Sequence, residues 1–364
     1  MTFLRDRSER MWVLVVAVFG LIMLYWVPWG AGHLELTFGG YGLTPALVAM
    51  YAAGMVLFWF RAGRQLAFAL CAFLALTTLP SSVHKGSAER SYFGVYRVSQ
   101  SDDGEFNVLT HGTTLHGAQR IRDKEGNLVV DTTPGTYYHP KSPMAQAIAI
   151  RREALEAQGR KGRYGIIGLG SGSLACHSEV GESWRFFEID PVVVGISRDS
   201  GLFTFLANCQ PNADIVLGDA RLTMAKQGSK SFDLIIVDAF SSDAVPVHLM
   251  TAEALRLYLD KAKPDGIVLL HISNRYLDLD SVLGATVKVL PGAYGILVSD
   301  DTADGSYAQS TSTVALFAKT SGALEPFRAF EGVAELADGG LKPWTDDYSD
   351  ILGPFLSKMK LRAE

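Results

Sequence analysis

Apolar positions follow three different rhythms along the chain. In the first eighty residues they are continuous: 11–29 carries no charge, 43–60 is a second such run, and 65–80 a third, slightly short one. A bilayer core takes about 20 apolar residues per helix, with about 17 as the lower limit. Two or three transmembrane helices are therefore predicted for residues 1–80. A cleaved signal peptide fits poorly, because further apolar runs follow and no clear small-residue cleavage site ends the first. Trp26, Trp29 and Trp59 stand near the run ends, where interfacial aromatics belong. From about residue 88 the rhythm changes to alternation. Residues 91–98 and 105–110 read as a hairpin, and 127–131 as a further short strand before Pro134 and Gly135. A small antiparallel β domain is predicted over 88–140.

The third rhythm is a regular exchange of helix and strand periods. A helix is expected over about 142–158, with Met144, Ile148 and Leu155 on one face. Strands follow near 164–168, 184–189, 213–218, 232–238, 265–271, 293–299 and 312–318. Helices fill most of the gaps, the clearest at 251–263, and a surface helix is expected at 325–336. Seven strands with alternating helices make a Rossmann-like α/β sheet of the class I methyltransferase type, here over 141–364.

The chemistry gathers at the strand ends. Residues 164–167 run into Gly168, Gly170 and Gly172, the strand–turn–helix in which only glycine lets the backbone pass close to a ligand. Glu188 and Asp190 end the next apolar run, Asp219 the third and Asp238 the fourth. Open α/β sheets bind ligands at the carboxyl ends of their strands. Glu188 is placed to accept hydrogen bonds from ribose hydroxyls, and Asp219 beside Ala220 to hold an adenine amine. The glycines are spaced Gly-x-Gly-x-Gly, not as the dinucleotide fingerprint Gly-x-Gly-x-x-Gly. That points to S-adenosyl-type ligands over NAD.

Charge narrows the partners. Residues 1–80 hold five Lys/Arg and three acids, leaving 28 basic and 35 acidic residues in the rest, a net of −7. That disfavours nucleic acid and mildly favours a cationic substrate. Arg5, Arg7 and Arg10 favour a cytoplasmic N-terminus, and the loop 31–42, free of Lys and Arg, favours the outside. An inner- or plasma-membrane, multi-pass protein is expected, with its catalytic domain in the cytoplasm beside its cofactor. Cys71, Cys176 and Cys209 share no metal-type spacing and read as small core residues in a reducing compartment. The spacings of His111, His116 and His139 are irregular, and no metal is expected.

Residues 238–251 carry the reactive group. Methyl transfer from a sulfonium needs little beyond positioning. Aminopropyl transfer asks for more, because an amine nucleophile is protonated at neutral pH and must lose a proton first. A carboxylate at a strand end can hold the cation and take that proton. Asp238 is placed for this, and Asp243 for the second amine of a diamine.

These segments resemble one family. Residues 92–98, 111–119, 137–139, 168–172, 188–190, 218–220 and 238–251, with 271–276 and 344–349, are similar to the spermidine synthase (polyamine aminopropyltransferase) family, in its bacterial membrane-bound branch. The resemblance covers about 90–350. It implies that Asp238 is the catalytic acid/base, that Tyr138 helps hold the attacking amine with His139 beside it, and that Gln119 lies near the sulfonium nucleoside. Gly168, Gly170, Gly172, Glu188, Asp190, Asp219 and Ala220 complete the implied nucleoside site. Two positions depart from the family pattern: Pro140 replaces an acid, and Asp243 stands five residues after Asp238 instead of three. Both bear on the acceptor pocket. The function expected is a membrane-anchored aminopropyltransferase, moving the aminopropyl group of decarboxylated S-adenosylmethionine to putrescine or a related amine, and a homodimer is possible. The alternatives are an S-adenosylmethionine-dependent methyltransferase on the same fold and a non-catalytic, nucleoside-sensing membrane protein.

Overall fold

The computed structural model describes residues 37–38, 41–42, 86–112, 114–240, 246–300 and 303–361. The chain divides into two compact units, Met1–His84 and Lys85–Glu364. In the first, β1 (Thr37–Phe38) pairs antiparallel with β2 (Tyr41–Gly42).

The second unit opens with an antiparallel meander of four strands, β3 (Gly86–Arg90), β4 (Val95–Gln100), β5 (Phe106–His111) and β6 (Thr114–Arg120). The alternation seen in the sequence is borne out at β4 and β5, whose inward positions include Tyr96, Val98, Phe106 and Val108. Residues 127–131 form no strand; Leu128 makes only an isolated bridge to Arg122. Helix α1 (Pro143–Glu156) starts where Ser142 accepts the Ala145 amide and Pro143 takes the first turn, which needs no donor there.

The large sheet contains β7 (Arg163–Ile167), β8 (Ser183–Glu188), β9 (Asp214–Leu217), β10 (Phe232–Val237), β11 (Ala262–His271), β12 (Tyr294–Asp300), β13 (Ser312–Ala318) and β14 (Val333–Glu335). Its order is β14-β12-β13-β11-β10-β7-β8-β9. The five strands from β11 to β9 are parallel; β13, β12 and β14 pair antiparallel at the other edge. All six residues of β10 are buried, as a central strand covered on both faces requires. The chain runs from β7 outward through β8 and β9, then returns to place β10 on the other side of β7. The crevice between the ends of β7 and β10 is the topological switch point. The remaining helices are α2 (Pro191–Val194), α3 (Phe205–Cys209), α4 (Ala220–Ala225), α5 (Ala252–Lys261), α6 (Leu279–Lys288) and α7 (Leu352–Leu361).

Several expectations are corrected. The seven strands expected are present, and β14 adds an eighth within 325–336, where a helix was expected; a 3-10 turn over Glu325–Ala329 precedes it. The glycine turn leads into a 3-10 turn, Ser173–His177, not a long helix. Cys176 and Cys209 are not free thiols. They form a disulfide, because the end of α3 packs beside the turn after the glycines. The transmembrane helices do not stand either. The runs 11–29, 43–60 and 65–80 lie outside the described residues, and among the described residues no helix is long and apolar enough to cross a membrane. The longest, α1, has 14 residues, about 21 Å at the α-helical rise, against about 30 Å of hydrocarbon. The membrane-bound branch, the membrane anchor and partner, and the multi-pass inner- or plasma-membrane location are withdrawn with them.

Candidate active site

Two strand ends meet at the switch point. At Gly168 (φ +99°), which follows β7, an added Cβ would stand 2.2 Å from the Asp238 carbonyl oxygen beyond β10. At Gly170 (φ +54°) it would stand 2.8 Å from the His116 carbonyl oxygen of β6. The glycine turn is thus pressed between β10 and the meander, and both contacts need residues without a Cβ. A cavity of about 270 Å³ opens beside it, walled in part by Gly168, Gly170, Glu188, Asp219, Ala220, Tyr138 and Asp238. These seven expected site residues converge there from separate elements.

Glu188 ends β8 buried. Its Oε2 accepts the Leu169 amide and its Oε1 the Asp190 amide, both at 2.9 Å. Burial nonetheless pushes its carboxyl above the usual range. Asp219 caps α4 by accepting the Leu222 amide at 3.1 Å, and its Oδ2 lies 3.3 Å from His248 Nε2.

Asp238 is buried with a defined partner on each oxygen. The Tyr138 hydroxyl donates to Oδ2, and His271 Nδ1 lies 2.7 Å from Oδ1. Burial first, then the Asp238 charge, pushes the Tyr137 and Tyr138 hydroxyls well above the ordinary tyrosine range. They remain donors at neutral pH. The Tyr138 backbone is held in turn by His177, whose Nε2 lies 2.7 Å from its carbonyl oxygen. Thr136, just before the two tyrosines, has φ +55°, a strained conformation for a β-branched residue.

Four expected site residues stand outside the cavity wall. The Gln119 amide is engaged with Thr204 and the Asp131 carbonyl, tying β6 to the start of α3. Asp190 caps α2 through the Val192 amide and accepts from Ser91. Gly172 turns against Leu206. His139 Nε2 lies 3.0 Å from Asp300. Asp243 lies outside the described residues. Asp346 bridges Arg221 and Thr251. Among the described residues no group of His, Cys, Asp and Glu is arranged to hold a metal; the His111 and His116 rings stand 5.6 Å apart.

His271 is a site residue that its local sequence does not reveal. It belongs to a segment marked for its resemblance, but nothing within that segment assigns it a partner 33 residues away. It also borders a second, wider groove of about 730 Å³, which shares His116 and Phe240 with the first cavity.

Fold and site together describe an open α/β protein with a carboxylate-walled cavity at the carboxyl ends of its parallel strands. No family model matches the chain. Over 99 residues it is 38% identical to a polyamine aminopropyltransferase of Vibrio vulnificus, covering 25% of this chain. The chain spans about 30% of the length of that curated relative. The match marks distant homology to a transferase. The spermidine synthase of Thermotoga maritima aligns at 17% identity and TM-score 0.47, over 76% of this chain and 87% of that one. A spermidine synthase in complex with the transition-state analogue AdoDATO aligns at 18% identity and TM-score 0.46, over the same shares.

Proposed function

We propose that the chain is an aminopropyltransferase, using decarboxylated S-adenosylmethionine as donor and a small amine, putrescine or a relative, as acceptor. The observation that carries this reading is the buried Asp238 carboxylate at the switch point, beside the glycine turn and open to the same cavity as Glu188 and Asp219. The donor's nucleoside would lie across Glu188 and the start of α4, where ribose hydroxyls and an adenine amine find acceptors. The acceptor enters as an ammonium, attracted to Asp238. Asp238 takes one proton, the amine nitrogen attacks the methylene next to sulfur, and the carbon–sulfur electrons pass to sulfur. The products are a secondary ammonium and methylthioadenosine. The homologous segment of the Vibrio vulnificus enzyme supports this reading.

The test is Asp238→Asn on the full chain. Calorimetric affinity for the decarboxylated donor should hold while turnover falls by about 100-fold or more; unchanged turnover would remove Asp238 as base. The wild-type protein should prefer the decarboxylated donor over S-adenosylmethionine by about tenfold, roughly 1.4 kcal/mol. The reverse preference would replace aminopropyl with methyl transfer.

A further inference from the structure

We infer that His271 is the positioning residue of the Asp238 centre, holding its carboxylate oriented by a hydrogen bond fixed from three strands of the sheet. This rests on the reading of Asp238 as base.

The geometry determines which atom donates. The Thr313 amide, which can only donate, lies 2.8 Å from Ser273 Oγ. Ser273 Oγ lies 2.8 Å from His271 Nε2, and His271 Nδ1 lies 2.7 Å from Asp238 Oδ1. An ionised carboxylate only accepts, so Nδ1 carries a proton. In the neutral ring Nε2 then accepts the Ser273 hydroxyl proton. Two neighbouring rings brace the imidazole in this arrangement. Tyr137 lies against it with centroids 4.7 Å apart and planes at 36°, and Phe240 meets it edge-on at 5.0 Å. His271 pairs with Val314 in the β11–β13 register, so Asp238 after β10, His271 on β11 and Thr313 on β13 are set by the sheet itself. With Tyr138 on Oδ2, the carboxylate has one donor per oxygen and one lone pair on each for the acceptor amine. A supported hydrogen bond of this kind favours the charged form of the acid.

Other titratable groups stand near. Tyr137 and Tyr138 face the pair from the turn before α1, and His116 from β6. Glu188, Asp219, His248, His111 and Tyr96 share the smaller cavity with Asp238. Arg275, Asp280 and Lys358 share the groove with His271. Asp280, pushed up to about 6 by burial and then by Asp278, titrates in a range that could be mistaken for the catalytic limb. It needs its own control.

The experiment measures kcat/KM for the acceptor amine against pH in full-length His271→Asn, His271→Leu and Asp280→Asn variants. The Asn side chain can place an N–H near the position of Nδ1, whereas Leu fills the space without a donor. The acidic limb should move to higher pH by about one unit or more in His271→Leu and stay near the wild-type position in the other two. A packing role predicts the reverse order, with the smaller Asn more harmful than Leu. An unmoved limb in His271→Leu, or an equal shift in His271→Asn, would overturn the proposal. Nitrogen-15 NMR of labelled histidine gives a readout independent of turnover: a His271 proton on Nε2 and none on Nδ1 would also overturn it. Asp238→Asn separates the two levels. If that variant keeps turnover, the base assignment fails and this inference with it; if it is inactive and the limb is unmoved, only the role of His271 fails.

Discussion

At Gly168 the positive φ and the carbonyl of Asp238 together exclude every residue with a Cβ. A non-glycine residue held in such a conformation costs about 1–3 kcal/mol from the backbone alone, before the contact is relieved. Gly168→Ala should therefore lower stability in urea unfolding by at least that much and displace Asp238 from the cavity wall, with a loss of donor affinity. A variant as stable as wild type would mean that β7 and β10 can separate there. The glycine pattern was legible in the sequence because it sits in five consecutive residues. That Gly170 answers to His116 of the meander was not, because the contact joins segments more than fifty residues apart. Asp190 and Gln119 show the same limit. Their residue types suit ligand binding, while the Val192 amide on Asp190 and the Thr204 amide on Gln119 are contacts that only the fold supplies.

Among the elements, α6 offers a pH test. Asp278 caps it, accepting the Ser281 amide and the hydroxyls of Ser281 and Ser357. Asp280 stands two residues on. Burial and then Asp278 push the Asp280 carboxyl up to about 6, while hydrogen bonds from Asp280, Ser357 and Ser281 outweigh burial to hold Asp278 low. A carboxyl raised in the folded state contributes stability below its unfolded value near 3.8, and that contribution is lost as pH rises through about 6. Asp280→Asn should thus raise the melting temperature at pH 8 and leave it nearly unchanged at pH 4. A drop at pH 8 would show that the charge at the start of the helix outweighs the repulsion. The strands that carry the site were legible from their apolar runs and terminal acids. The short turns were less so: 325–336 has a helical look, yet Val333 to Glu335 completes the sheet edge against β12. An edge strand of three residues owes its state to its neighbour more than to its own pattern.

For the molecule as a whole, the disulfide ties the turn after the glycines to the end of α3 across 33 residues. In the chain-entropy account a loop of that size contributes about 3–4 kcal/mol. The double variant Cys176→Ser, Cys209→Ser should melt several degrees lower in calorimetry, and reduction of the wild-type protein should match it. Equal melting temperatures would mean that the packing of α3 against the turn suffices alone. Nothing in the spacing of three cysteines announced the pair. The membrane expectation was likewise drawn from hydropathy without tertiary information, and no helix among the described residues carries it.

By itself the sequence determined the seven strands from β7 to β13 and most of the helices between them, the glycine turn after β7, and a carboxylate at the ends of the next three strands. Each of these is written within a few adjacent residues, where periodicity and turn chemistry act. Only the tertiary structure decided which of those groups share a cavity, that Cys176 meets Cys209, and that Tyr138 and His271 are the partners of Asp238, 100 and 33 residues away in the chain. Strand order and register set those meetings. A sheet that turns back at β7 brings together ends that no local pattern relates.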